Sequence, residues 1–125
     1  SPVEFMNLMR IGEWRTAESG HRFAEQGVLI EGLKLLFNGE VVIERDGEEV
    51  GRVRAGSMIG EMSFIQGGAA TATVTSTRPC HYIVWPYDKL RQLLKRNPSM
   101  DIAMKHVFSM DLTRKLAGPV VTMNH

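Results

Sequence analysis

The residues between Gly56 and Ser76 are the ones whose types and spacing ask for more than a core. Gly56 and Gly60 bracket Met58 and Ile59, and a lone carboxylate, Glu61, follows at once. Met62 to Ile65 has the make-up of a short apolar helical turn. Gly67-Gly68 then leads into small and hydroxyl residues, Ala70 to Val74. Small residues let a ligand approach the backbone closely. The first turn of a helix exposes free N–H groups suited to an anion, and hydroxyls add neutral donors. The segment reads as a pocket for a small, polar, phosphorylated molecule. Two plainer readings stand beside this one: Glu61 as a helix N-terminal carboxylate held by the dipole, and Ala70 to Val74 as a strand of small residues packed on a neighbour.

Other chemistries find little support. His21, His81, His106 and His125 have no ligand spacing among them, so no metal site is expected. Cys80 is the lone cysteine, sits in an apolar run and reads as core. No Ser/His/Asp or Cys/His arrangement stands out. The chain is therefore expected not to be an enzyme and to carry no cofactor. The basic run Lys89, Arg91, Lys95 and Arg96 reads as a solvated helix face, with acidic lipid headgroups as the alternative.

At 125 residues the chain has room for one domain with a core that needs no metal or disulfide. A hydrophobic share of 43% and a charged share of 23% fit a soluble globular protein. The formal net charge of +1 gives no field that would draw nucleic acid or an anionic membrane. No apolar run has the length of a membrane span and no signal peptide is visible. The expected location is the cytoplasm, or the cytosolic face of a membrane if a membrane segment precedes Ser1.

Turn residues and apolar periodicity delimit the elements around this segment. Pro2 to Arg10 has near-helical apolar spacing and Pro2 suits a helix start. Trp14 to Ala17 and Arg22 to Ala24 read as short strands. Leu33 to Phe37, with Asn38-Gly39, Val41 to Arg45, Asp46-Gly47 and Glu49 to Arg54, predicts two successive hairpins. Gly56 to Ile65 reads as a loop with a helical turn, Thr71 to Ser76 as a strand, and Cys80 to Trp85 as a buried strand stopped by Pro86. Asp88 is expected to cap a helix through Arg96, and Ser99 a second helix from Met100 to about Leu116. This predicts a mainly β fold with flanking helices. It would be an antiparallel sandwich of the β-roll or jelly-roll type with about eight strands, a short N-terminal helix and two C-terminal helices. The domain is expected to span residues 1–117, with 118–125 a disordered tail.

Over Phe5 to Leu116 the sequence resembles the cyclic nucleotide-binding domain family, which includes catabolite activators and Popeye-type proteins. The matches are Leu33-x-Leu35-Leu36-x-x-Gly39-x-Val41, Gly56-x-x-x-Gly60-Glu61-Met62-Ser63-Phe64 and Ala69-Ala70-Thr71-Ala72-Thr73-Val74. They fall in the family's order, ahead of two helices placed like its lid and hinge helices. The resemblance implies a nucleotide-binding cassette made of Gly60, Glu61, Met62, Ser63, Ala70, Thr71, Ala72 and Thr73. Glu61 would accept a ribose hydroxyl. The Met62 and Ser63 amides and Thr71 would hold the cyclic phosphate of cyclic AMP or cyclic GMP. The sequence departs from the family pattern at Ala70, where the family has an arginine, and at Ala69, often proline. Arg52, Arg54 and Arg78, on nearby segments, are candidates to compensate.

The implied function is a regulatory, ligand-sensing module, with a cyclic nucleotide or related anion in the Gly60–Thr73 segment and a signal passed through the C-terminal helices. The alternative is a degenerate, non-binding member acting as a protein-interaction or dimerisation module, with the C-terminal helix joining a homodimer, and forming the cytosolic part of a membrane protein. Family activators carry a helix-turn-helix after the long helix. This sequence ends about nine residues past Leu116, so no DNA binding by this chain is expected.

Overall fold

The computed structural model describes residues 2–102 and 104, and the helix expected over Met100 to Leu116 and the tail 118–125 fall largely outside that range. Eight strands form two four-stranded antiparallel sheets. The strands are β1 (Glu13–Ala17), β2 (Arg22–Ala24), β3 (Gly32–Asn38), β4 (Glu40–Arg45), β5 (Glu48–Arg54), β6 (Ser57–Ile59), β7 (Thr73–Ser76) and β8 (Cys80–Pro86). Helix α1 (Pro2–Ile11) precedes them, α2 (Glu61–Gln66) follows β6, and α3 (Tyr87–Arg96) follows β8. The first sheet runs β1-β8-β3-β6 and the second β2-β7-β4-β5. The pairing is nested: β1 with β8, β2 with β7, β3 with β6 and β4 with β5. This is the jelly-roll sandwich with flanking helices that strand spacing predicts.

Alternation along β8 builds two core layers. Cys80, Tyr82 and Val84 point between the sheets and join Phe23, Leu36 and Val41. Ile83 and Trp85 point the other way, into a layer with Leu8, Leu90, Leu94 and Met100. A strand covered on both faces reads as a continuous apolar run, as Cys80 to Trp85 does. The Trp85 Nε1–H donates to Leu8 O at 2.7 Å, which fastens α1 to this sheet.

Of the two predicted hairpins, one forms. β4 and β5 pair across Asp46-Gly47, whose φ values of 54° and 82° suit a tight two-residue turn. β3 does not pair with β4. It lies between β6 and β8 in the other sheet. The chain crosses between sheets at Gly39, where a Cβ would sit 2.5 Å from Cys80 Sγ. Asn38-Gly39 is thus a crossing point rather than a hairpin turn. Ser57–Ile59, read as loop, is strand β6.

The helix starts also differ from expectation. α3 begins at Tyr87 with Pro86 at its N-cap and no side-chain cap, and Asp88 Oδ1 accepts only the neighbouring Lys89 N–H. Residues 98–102 are helical, starting at Pro98 rather than after Ser99, with Asp101 N–H donating to Asn97 O. Pro98 occupies a first-turn position, where its missing N–H costs nothing.

Candidate functional site

A cavity of about 340 Å³ opens between the second sheet and helix α2. It brings together Gly60, Glu61, Met62, Ser63, Ala70, Thr71 and Ala72, residues from two stretches of sequence. Its apolar wall comes largely from residues such as Ile30, Ile43, Val50, Val53 and Ile59. Thr73 is not part of the lining. Its Oγ1 instead accepts the Gln26 N–H at 3.0 Å and ties β7 to the β2 end of the sheet.

Gly60 sets the geometry where β6 passes into α2. Its φ of 90° is left-handed, and a Cβ there would lie 2.7 Å from the Tyr87 hydroxyl and 3.1 Å from Gly32 O. Only glycine fits both demands. The turn it makes places Glu61 at the first helical position, buried to 3% exposure at the cavity wall. Ser63 is buried beside it, while Met62 is partly exposed.

The Ala69-Ala70 segment is zipped to the chain ahead of β3. Leu29 bridges Ala69, the Ala70 N–H donates to Val28 O, and Gly27 N–H donates to Ala70 O. The Ala70 methyl is buried in the inter-sheet core. Thr71 is exposed, and its carbonyl accepts a hydrogen bond from Arg45 Nε at 3.2 Å.

Arg45 is the residue the sequence reading missed. It ends β4 and, among the described residues, is the one basic residue lining the cavity. Period-two alternation was the available signal: Val41, Ile43 and Arg45 share a face, and Val41 and Ile43 belong to the inter-sheet core. Asp46, next in the chain, is held by Gln26 on both sides. Gln26 Nε2 donates to Asp46 Oδ1 at 2.9 Å, and the Asp46 N–H donates to Gln26 Oε1 at 2.8 Å. Across the ribbon, Ile43 pairs with Gly51 and Glu44 with Glu49, so Val50 is the extra residue of a bulge and turns to the cavity.

The three arginines expected to compensate at the cavity are engaged elsewhere. Glu40, at the other end of β4, is only 6% exposed. It accepts Thr77 Oγ1–H at 2.7 Å and pairs with Arg52 at 3.4 Å, Arg54 at 3.2 Å and Arg78 at 3.6 Å. The hydrogen bond from Thr77, with that from Arg54 and the positive charges of Arg78 and Arg54, holds the Glu40 carboxyl below its usual range despite burial.

Helix α3 grips α2 at both of its ends. The Tyr87 hydroxyl donates to Gly60 O. Arg91 donates to Phe64 O at 2.9 Å, with its guanidinium 4.8 Å from the Phe64 ring centroid. Burial pushes the Tyr87 phenol up to about 12, so it stays a neutral donor at ordinary pH. Among the described residues no cluster of three His, Cys, Asp or Glu could hold a metal ion, and no helix is long and apolar enough to cross a membrane.

A search of curated proteins finds no match. Many solved structures match in fold. One is a cyclic nucleotide-binding domain from Methylobacillus flagellatus KT, with TM-score 0.86 and 26% identity over 93% of this chain and 68% of that one. Another is the c-di-GMP responsive regulator CLP of Xanthomonas campestris, at 0.78 and 19% over 93% of this chain. The Thermus thermophilus catabolite activator protein matches at 0.71 and 22% over 94%. This chain spans only 59% and 54% of the latter two. The model of the cyclic nucleotide-binding domain matches residues 14–97, from β1 through the end of α3. With the sandwich, the cavity and that match over most of its length, the chain belongs to the cyclic nucleotide-binding domain family.

Proposed function

We propose that this chain is a ligand-sensing regulatory module whose cavity takes a cyclic nucleotide or a related nucleotide anion. One observation carries the reading: the cavity wall and the exit helix share atoms. Gly60 lines the cavity, and its carbonyl is the acceptor for Tyr87 on α3. The volume of about 340 Å³ lies within the range of small-molecule sites, and a mostly apolar wall with a few polar groups suits a base and sugar. Glu61 is the acceptor for sugar hydroxyls, and Thr71 supplies a hydroxyl on the facing segment. A ligand that prefers one placement of α2 carries Tyr87 and Arg91 with it, and so biases α3 and the helix that starts at Pro98. It does so only by the difference in its affinity for the two placements.

Calorimetric titration with cyclic AMP and cyclic GMP, paired with a thermal-shift assay, tests this. Saturable heat and a raised melting temperature with either nucleotide are expected. No heat and no shift at millimolar nucleotide would sink the reading and favour an interaction module that binds no nucleotide.

A further inference from the structure

We propose that Arg45, reaching the cavity from the end of strand β4, is the cation that meets the phosphate of a bound nucleotide. The inference rests on the nucleotide-sensing reading of the same cavity and adds the group that neutralises the ligand.

Among the described residues that line the cavity, Glu61 is the one acid and Arg45 the one base; the rest are apolar or hydroxyl-bearing. The segment that faces α2 brings a buried methyl at Ala70, so it supplies no charge. Arg45 is not a loose surface residue. Its Nε donates to Thr71 O at 3.2 Å, which ties the side chain to the residue that carries the hydroxyl of the facing segment. The next residue is clamped by two hydrogen bonds to Gln26, which holds the strand end in place. A guanidinium has five N–H donors, and Nε provides only one of them. Among the described residues no carboxylate forms an ion pair with Arg45, whereas Arg15, Arg22, Arg54 and Arg78 each have one and Arg52 has two. The nearest sequence candidate, Asp46, is taken by Gln26. A planar, bidentate donor with its orientation set, at the mouth of an apolar cavity, fits a phosphoryl group.

The consequence is that a strand, not the segment around α2, carries the charge contact. A phosphate bound there bridges β4, through Arg45, and the Thr71 turn. The β4–β5 ribbon then tightens along with α2 when ligand arrives.

The test compares the unaltered chain with Arg45→Gln, Arg45→Lys and, as a control outside the cavity, Arg52→Gln. Probes are cyclic AMP, cyclic GMP, 5′-AMP, inorganic phosphate and the uncharged adenosine, each titrated by calorimetry at two salt concentrations. Expected for Arg45→Gln is a loss of about 10- to 100-fold in affinity for the phosphorylated probes, the scale of one charge-assisted contact. Adenosine binding should stay unchanged, the salt dependence should be lost, Arg45→Lys should recover part of the affinity and Arg52→Gln should change nothing. Equal binding by the unaltered chain and Arg45→Gln would overturn the role of Arg45 while leaving the nucleotide reading standing. An equal fall for adenosine would overturn it too, because the side chain would then act through packing. Arg45-dependent binding of 5′-AMP or phosphate without any binding of cyclic nucleotides would uphold Arg45 and overturn the cyclic-nucleotide reading. Binding of no probe at all would overturn both.

Discussion

Strand β4 carries a charge at each end, and the two ends are built to different purposes. At its first residue, Glu40 is enclosed by Thr77 and three arginines. At its last, Arg45 is tied to a backbone carbonyl at the rim of a cavity. A buried carboxylate with every side covered by donors is stable because nothing remains to be satisfied; removing a partner exposes the cost of its desolvation. A cation anchored by one donor and unpaired with any described carboxylate keeps donors in reserve. Arginines thus close off a carboxylate at one end of the strand, while at the other end an arginine keeps donors unused, and contacts, not composition, tell them apart.

Substitutions test this contrast by showing whether an end answers in stability or in binding. The largest effect is expected at the cavity's frame. Gly60→Ala must force a left-handed alanine against Tyr87 and Gly32, costing about 3 kcal/mol in thermal or denaturant unfolding. A cost below about 1 kcal/mol would show that α2 yields, and that the cavity wall is soft rather than set. Glu40→Gln should follow, at about 2 kcal/mol, since bonds to a charged group are lost while three arginines stay close. Its pH dependence has a defined sign. Glu40 titrates below its ordinary value of 4.5 when folded, so its contribution is present above that pH and fades as the pH falls through the lower folded value. Acid titration of stability should be flatter in the variant, and an unchanged acid limb would contradict the enclosed-carboxylate account.

Tyr87→Phe should cost about 1 kcal/mol by removing the hydroxyl that holds Gly60 O. It should also remove an alkaline loss of stability. The folded phenol titrates at about 12 against an ordinary 10.0, so its contribution is complete below pH 10 and is lost as the pH rises through about 12. Equal alkaline limbs in variant and parent would count against burial as the cause. The smallest stability change is expected for Arg45→Gln, within about 0.5 kcal/mol, because the side chain is exposed and its one bond is to a carbonyl. A larger loss would mean that the two ends of β4 are alike after all.

Much of the fold was legible because strand periodicity and turn residues are local. Asp46-Gly47 marked its hairpin, and the apolar run Cys80 to Trp85 marked the doubly covered strand. Asn38-Gly39 misled because the same dipeptide serves a tight turn and a crossing between sheets. What distinguishes them is Cys80, some forty residues away, whose sulfur occupies the space a side chain would need. The cavity's stretches from Gly60 to Ser63 and Ala70 to Ala72 could be picked out by their small and polar residues. Arg45 was legible only through alternation, which puts it on the face of Val41 and Ile43; Arg52, Arg54 and Arg78 are nearer the segment in sequence, yet β5 alternation turns Arg52 and Arg54 to the face opposite Val53. Thr73 looked like a donor to ligand and is an acceptor for Gln26, a partner that sequence does not disclose.

The nested strand pairing also has a consequence in time. The β4–β5 ribbon closes across two residues, whereas β1 cannot meet β8 until residues 18–79 have been gathered between them. Loop closure is cheapest for the inner pair, so ordering should spread outward from Asp46-Gly47, and the outermost pair should lock last. Stopped-flow kinetics should then show Gly47→Ala slowing refolding, and Trp14→Ala on β1 chiefly hastening unfolding. The reverse pattern would place the nucleus at the rim. If the order holds, Arg45 and the ribbon that carries it take shape before α2 comes to rest as the cavity's facing wall.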